Sequence, residues 1–405
     1  MKYDFDRVID RANTGAVKWD RFNGGSNAGP IDPITAGLKG DGPIPMWVAD
    51  MDFVSPQPVV DALAERATHG VFGYTVADDS YYDSIIDWFQ RRHNWTIERD
   101  WIITAPGVVP ALEFAIKTFC EPGDKVLVQR PVYYPFFRVI EHGGCEIVSN
   151  TLVENAGVYE MDFEDLEAKA ADPKARIAIL CSPHNPIGRV WTQDELRRFA
   201  EICTRNGVMV ISDEIHCDLI MPGHRFQPYG TVGEEFADNS IITTAASKTF
   251  NVAGLHLSNI IIKNPDIREK YQEYMVQTGV AGGLTPFGLI GTEASYRGGE
   301  DWLAQVLDYI QANYDHLKSE LARRMPSLTV SPLEGTFLAW IDFRKLGLDR
   351  AGLEDLAQVR AKVLFDEGYI FGDEGDGFER MNIACSRAVL DLALDRLEKE
   401  VKALA

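Results

Sequence analysis

Across 405 residues there is no stretch of about 18 uninterrupted apolar residues, so no segment reads as a helix that crosses a bilayer. Cysteine is sparse and scattered. Cys120, Cys145, Cys181, Cys203, Cys217 and Cys385 include no CxxC pair, which argues against a zinc cage or disulfide framework and for reduced thiols. Basic residues are outnumbered, 40 Lys and Arg against 61 Asp and Glu, and a formal charge of -21 excludes a nucleic-acid backbone or an anionic membrane as a general partner. The eight histidines show no metal-ligand spacing and neither GxxxxGK[ST] nor HExxH occurs, so no metal is expected. The opening residues are charged from Lys2 and lack an apolar run followed by a small-residue cleavage site, so we expect no export signal and a cytoplasmic location.

What is present is an ordinary globular composition, 45% hydrophobic and 25% charged, in a chain long enough for two domains. From about residue 100 to residue 260, short apolar runs alternate with longer amphipathic segments, which predicts an α/β fold with a mostly parallel sheet covered on both faces. KVLVQ (125–129), IAILC (177–181), GVMVIS (207–212) and SIITTA (240–245) read as strands. TQDELRRFAEICTRNG reads as a helix that opens with a capping box, Thr192 to Glu195, and closes at Asn206 and Gly207. After about residue 286 the texture changes to long helical stretches, then short strands around GTFLAWIDF, then a terminal helix. We expect a large domain over 50–285 and a smaller α+β domain built from 1–49 and 286–405.

Ligands of open parallel sheets bind at the carboxyl ends of the strands. There the sequence places Asn185 in SPHNPIGRVW, Asp213 in SDEIH, and Ser247 and Lys248 in SKTFN. Val108 and Val109 open a helix whose first N–H groups suit an anion such as phosphate. Each alone has a purely structural reading, as a helix cap, an Asn-Pro turn, a helix joint or a snorkelling lysine. Together they match what a pyridinium ring needs to act as an electron sink: a carboxylate at its ring nitrogen, a donor at its phenolic oxygen, an anion site for its phosphate, and an amine for its aldehyde.

In these motifs, and in PMWVADMDF (45–53), FGYT (72–75), GVVPAL (107–112), RPVYYPF (130–136), CSPHNPIGRVW (181–191), SDEIHCD (212–218), SKTFNVAGL (247–255) and MNIACSR (381–387), the chain resembles the fold type I, pyridoxal-phosphate-dependent class I/II aminotransferase superfamily, and within it the carbon–sulfur beta-lyase (cystathionine beta-lyase) group. The resemblance implies pyridoxal 5'-phosphate as cofactor, with Lys248 as the amine that binds its aldehyde and Asp213 as the partner of its ring nitrogen. It makes Asn185 the donor to its phenolic oxygen and Tyr133 the ring stacked on it, Tyr134 being a core residue. The phosphate falls to Val108 and Val109, assisted by Tyr74 from a partner subunit, with His216 and Ser247 alongside. Arg387 becomes the fork for the substrate carboxylate, and the assembly a homodimer with its sites at the subunit boundary. Tyr81, Tyr82 and Trp47 are candidates for the site entrance or for packing, and Thr285 for a contact to the neighbouring subunit's phosphate.

Ala245 and His256 stand where many relatives carry a serine and an arginine, and His216 where a tyrosine is usual. Those departures favour the lyase group over ordinary transamination. The expected reaction is beta-elimination of cystathionine or a cysteine S-conjugate to thiol, pyruvate and ammonia; an aminotransferase, or a regulatory protein that keeps the pocket, are the alternatives. FGDEGDGF (371–378) lacks the ordered ligands and closing glutamate of a calcium loop and reads as a turn near the substrate mouth.

Overall fold

The computed structural model describes residues 1–11, 13–20, 42–281 and 283–404. Its larger lobe is built on a seven-stranded sheet. In chain order the strands are β1 (Ile102–Ala105), β2 (Lys125–Val128), β3 (Glu146–Ser149), β4 (Ala175–Cys181), β5 (Met209–Asp213), β6 (Ser240–Thr244) and β7 (Ser258–Ile261), and in space they run β1, β7, β6, β5, β4, β2, β3. Only β7 is antiparallel to its neighbours. Strands β5 and β6 are buried almost throughout, as unbroken runs of Val, Ile, Ser and Thr must be when helices cover both faces of a sheet.

The covering helices begin where the sequence says they should. Thr192 Oγ1 accepts the Glu195 N–H while the Glu195 carboxylate accepts the Thr192 N–H, and Gly207 takes the left-handed φ of 70° beyond the other end of the helix Gln193–Arg205. The helix Val108–Phe119 turns Ala111, Leu112, Ala115 and Ile116 onto the sheet, a spacing of three and four that lays one apolar stripe on β1 and β6.

The second lobe is an antiparallel sheet of β8 (Thr329–Val330), β9 (Leu338–Asp342), β10 (Asp366–Glu367) and β11 (Phe378–Asn382), in the order β8, β9, β11, β10. The 25-residue helix Glu300–Arg324 and the terminal helix Arg387–Lys402 pack on it. The expected boundary at 286 falls at the start of a helix. The helix Pro286–Gly298 packs on Gln57–His69 and Asp79–His93 of the large lobe, where Gly298 lies against Pro58 and Gly291 faces Leu63 and Leu255 with no room for a larger side chain. Ile44–Pro45 pairs parallel with Val363–Leu364, which ties the amino-terminal segment to the small lobe. Among the described residues no helix is long and apolar enough to cross a membrane. All six cysteines are free thiols, five of them buried.

Candidate active site

The register of the central sheet sets the site. Cys181 pairs with Asp213, and Asp213 with Thr243, so three parallel strands end level with one another. The turn after each then projects into one crevice, a cavity of about 390 Å³ lined by Ala49, Tyr133, Asn185, Asp213, His216 and Lys248. The same cavity reaches Gly107, Val108 and Val109 at the start of a helix, and Ala245, Ser247 and His256.

Lys248 lies two residues into a short helical turn after β6, with its amine donating to the Ala49 carbonyl at 2.7 Å. Burial depresses its pKa to about 8; the charges of Asp50 and Asp213 resist that shift and Arg380 adds to it. Asp213 is pushed the other way, up to about 7, because burial penalises its anion more than the Ile215 N–H and the Lys248 charge favour it. The Ile215 N–H reaches Oδ1 at 3.1 Å. A half-buried amine and a buried carboxylate thus share one cavity, and both titrate near neutral pH, as groups at functional sites often do.

Asn185 is buried in the turn that His184 and Arg189 close, and its Oδ1 accepts from Arg380 Nη1 at 3.0 Å. Tyr133 lines the cavity between β2 and the helix Pro135–His142, its phenol raised to about 12 by burial. Its neighbour Tyr134 turns to the small lobe, edge-on to Phe371. Val108 and Val109 precede the first bond of their helix, Ala111 N–H to Gly107 O at 3.2 Å, so their N–H groups are free of the helix ladder and open to an anion. His216 is buried, and its Nδ1 has no hydrogen-bond partner among the described residues. These features fit a pyridoxal phosphate: an under-bonded carboxylate for its ring nitrogen, an amide for its phenolic oxygen, a helix start for its phosphate, and an amine of lowered pKa for its aldehyde.

Other expectations fall elsewhere. Arg387 is outside the cavity. It opens the terminal helix and donates through Nε to Asn313 Oδ1 at 2.9 Å and through Nη2 to the Ala312 carbonyl at 2.8 Å, which fastens that helix to Glu300–Arg324. Arg138 lines the cavity, and Arg380 on β11 stands behind the lining residue Asn185. Fully buried, it donates to Asn185, to the Trp47 carbonyl at 2.9 Å and to Asp366, and its Nε lacks a partner among the described residues. The sequence carries a signal for it: an arginine inside the otherwise buried strand FERMN demands an ionic or chemical reason, whereas an arginine at a helix start does not. Tyr74, fully exposed at 110%, touches nothing in the cavity of its own chain.

Tyr81 is core, with its hydroxyl on Asn259 Oδ1 at 2.6 Å. Tyr82 lies under Arg99, and Trp47 is buried with Nε1 on the Lys18 carbonyl. Thr285 caps the helix Pro286–Gly298 by accepting the Gly288 N–H at 2.9 Å. The turn at 371–378 is held by Arg350 on Asp373 and Asp376. His93, Cys217 and Asp218 bring their ligand atoms within 4.8 Å of one another, but Asp218 is already saturated by Arg92, His93, Trp88 and Thr249.

Comparison with known proteins agrees with this geometry. The chain is 40% identical to cystathionine beta-lyase PatB of Bacillus subtilis over 395 residues, 98% of this chain and 99% of that protein. It is 31% identical to protein MalY of Escherichia coli over 407 residues, 99% and 100% of the two chains. Among solved structures, cystalysin from Treponema denticola, described as containing a pyridoxal 5'-phosphate cofactor, superimposes with a TM-score of 0.92 at 39% identity over all of both chains. A PLP-bound C-S lyase from Staphylococcus hominis, complexed with L-cycloserine, gives 0.91 at 31% identity over 99% and 98%. The aminotransferase class I and II family model matches residues 45–397, and this chain belongs to that family.

Proposed function

We propose that the protein is a pyridoxal-phosphate-dependent carbon–sulfur beta-lyase that cleaves cystathionine or related cysteine S-conjugates to thiol, pyruvate and ammonia. The observation that carries this reading is the shared cavity in which the Lys248 amine, lowered to about 8, meets the Asp213 carboxylate, raised to about 7. Similarity along the whole chain to a cystathionine beta-lyase and to C-S lyase structures supports it.

When bound, the cofactor supplies an electron sink for charge developing at the substrate α carbon. The chain's own groups do the rest. Val108 and Val109 N–H groups would hold the phosphate, Asn185 and Tyr133 would orient the ring, and the Asp213 carboxylate would keep the ring nitrogen protonated. Arg380, backed by Asp366, receives the substrate carboxylate, which turns the α C–H bond toward Lys248. Neutral Lys248 removes that proton, and the β-carbon sulfur departs as thiolate, a good leaving group.

A homodimer is part of this proposal. Val71, Phe72, Tyr74 and Val76 stand exposed on one short segment, an apolar edge suited to a second copy, which would carry Tyr74 to the partner's phosphate site. Free thiols throughout agree with a cytoplasmic, reducing compartment.

Purified protein is given cystathionine without a keto acid, and pyruvate and free thiol are followed beside a Lys248→Ala control. Equal amounts of both products, lost in the control, are expected. An absolute requirement for a keto acid would move the assignment to transamination, and pyruvate without thiol would overturn the substrate class.

A further inference from the structure

The strap 46–53 crosses the site with almost every carbonyl engaged. Met46 O accepts the Asn382 N–H, Trp47 O accepts Arg380, Val48 O accepts Asn382 Nδ2, and Ala49 O accepts Lys248. Asp50 O accepts Lys18 and Asn382, and Met51 O accepts Arg11 and Asn251. Lys248 and Arg380 are therefore held by carbonyls two residues apart on one segment.

The strap is in turn clamped from the amino terminus. Arg11 forks onto Asp50 with Nη1 to Oδ1 at 3.1 Å and Nη2 to Oδ2 at 2.8 Å, and its Nη1 also reaches Asp52 at 2.7 Å. Lys18, 0% exposed, places its amine 2.7 Å from Asp52 and 4.0 Å from Asp50. Trp19 Nε1 donates to Asp52 at 2.8 Å, and Trp47 Nε1 donates back to the Lys18 carbonyl at 3.0 Å. Buried charges cost desolvation, and two cations held against two anions on a chain segment more than 30 residues away are an expensive way to fasten a loop. Adjacent residues 49 and 50 give the expense a purpose: one holds the Lys248 amine, the other brings an anion beside it.

We propose that Arg11 and Asp50 are positioning residues for Lys248, with the Arg11 fork fixing the strap and balancing the Asp50 charge that faces the amine. This rests on the reading of Lys248 as the cofactor-binding amine. The charged groups facing Lys248 are Asp50, Arg380 and Asp213, with His216 buried nearby; those facing Asp50 are Arg11, Lys18 and Lys248. The signs are opposite for the two variants. Without Arg11 the anion at Asp50 is less compensated and Lys248 holds its proton more tightly. Without the Asp50 charge, Arg11 and Lys18 stand uncompensated and Lys248 releases its proton more readily.

The experiment measures pH-dependent acylation of Lys248 in the cofactor-stripped full chain by peptide mass spectrometry, and borohydride fixation of pyridoxal phosphate in the holoenzyme. In Arg11→Met the Lys248 midpoint should rise by about half to one pH unit and in Asp50→Asn fall by a similar amount. Arg11→Lys should restore the wild-type midpoint, as should the double variant Arg11→Met with Asp50→Asn. Unfolding midpoints are recorded in parallel, and Asp50→Asn, nearly isosteric, keeps the test decisive if Arg11→Met does not fold. Midpoints that stay put, or move together with falling stability, mean a merely structural clamp and overturn the proposal. Fixation elsewhere than Lys248 overturns the cofactor reading instead, while the acylation midpoints still judge the clamp.

Discussion

Arg380 Nη1 donates to Asn185 Oδ1 at 3.0 Å, so a guanidinium from the small lobe and an amide from the end of β4 in the large lobe turn as one unit. That bond links the two lobes at the site, and the orphan Nε leaves donor capacity for a substrate carboxylate. Arg380→Lys cannot fork, and losing a charge-assisted hydrogen bond costs about 1.5–3 kcal/mol. KM for the amino-acid substrate should rise about 10- to 100-fold. Arg387→Met should leave KM within about threefold and lower unfolding stability by about 0.5–1.5 kcal/mol through the lost bonds to Asn313 and Ala312. The reverse result would return the carboxylate fork to Arg387.

Lys248 and Asp213 are tuned by the same burial in opposite directions, which fixes a pH signature. A lysine lowered to about 8 is protonated below that pH and neutral above it, so the cofactor-stripped protein should react with carbonyl compounds faster as pH rises through about 8. The rate should fall about tenfold for each unit below. Asp213→Asn removes the anion that keeps a ring nitrogen protonated, and elimination should slow by about 10²- to 10⁴-fold in single-turnover measurements. An unchanged rate would exclude Asp213 from that role.

Tyr74 is exposed and outside the cavity of its own chain, and the proposed homodimer carries it to a second copy. Tyr74→Ala should weaken retention of pyridoxal phosphate, read as loss of bound cofactor on dilution and dialysis, with secondary structure unchanged. Sedimentation should give twice the chain mass for the parent protein. A monomer that holds its cofactor fully would remove the subunit-boundary site.

The legible part of this protein was the part with a period or a level edge. Buried runs such as IAILC announce β4, Thr192 and Glu195 announce a helix start, and because parallel strands end together, the sequence alone gathers Asn185, Asp213 and Lys248. Arg380 was missed because β11 mixes Glu, Arg, Met and Asn, and its alternation of faces makes sense only once Asp366 is seen across the ladder. The strap 46–53 has no period at all; its role is written in carbonyl bonds to residues some 200 and 330 positions away, which no local pattern encodes. The domain division is less legible for a related reason: helical texture changes at 286, but the helix that starts there packs on Gln57–His69 and Asp79–His93.

The opposite face of the same ladder carries a second buried carboxyl group. Glu379 pairs across from Glu367, and the two buried carboxyl groups share a hydrogen bond with each other. Burial, then the charges of Glu367, Asp366 and Glu354, hold Glu379 well above the ordinary carboxylate range, and burial raises Glu367 too. A carboxyl group raised on folding is neutral in both states at low pH, so it opposes folding only once the unfolded chain ionises, from about pH 4.5 upward. Stability should therefore decline as pH climbs from that value toward the folded pKa. Glu379→Gln keeps the volume, abolishes the ionisation and should flatten that decline. Its unfolding midpoint should exceed that of the parent at pH 8 and match it near pH 4. Equal midpoints across the range would mean that Glu379 ionises freely in the folded protein, and that its burial against Glu367 is relieved by water.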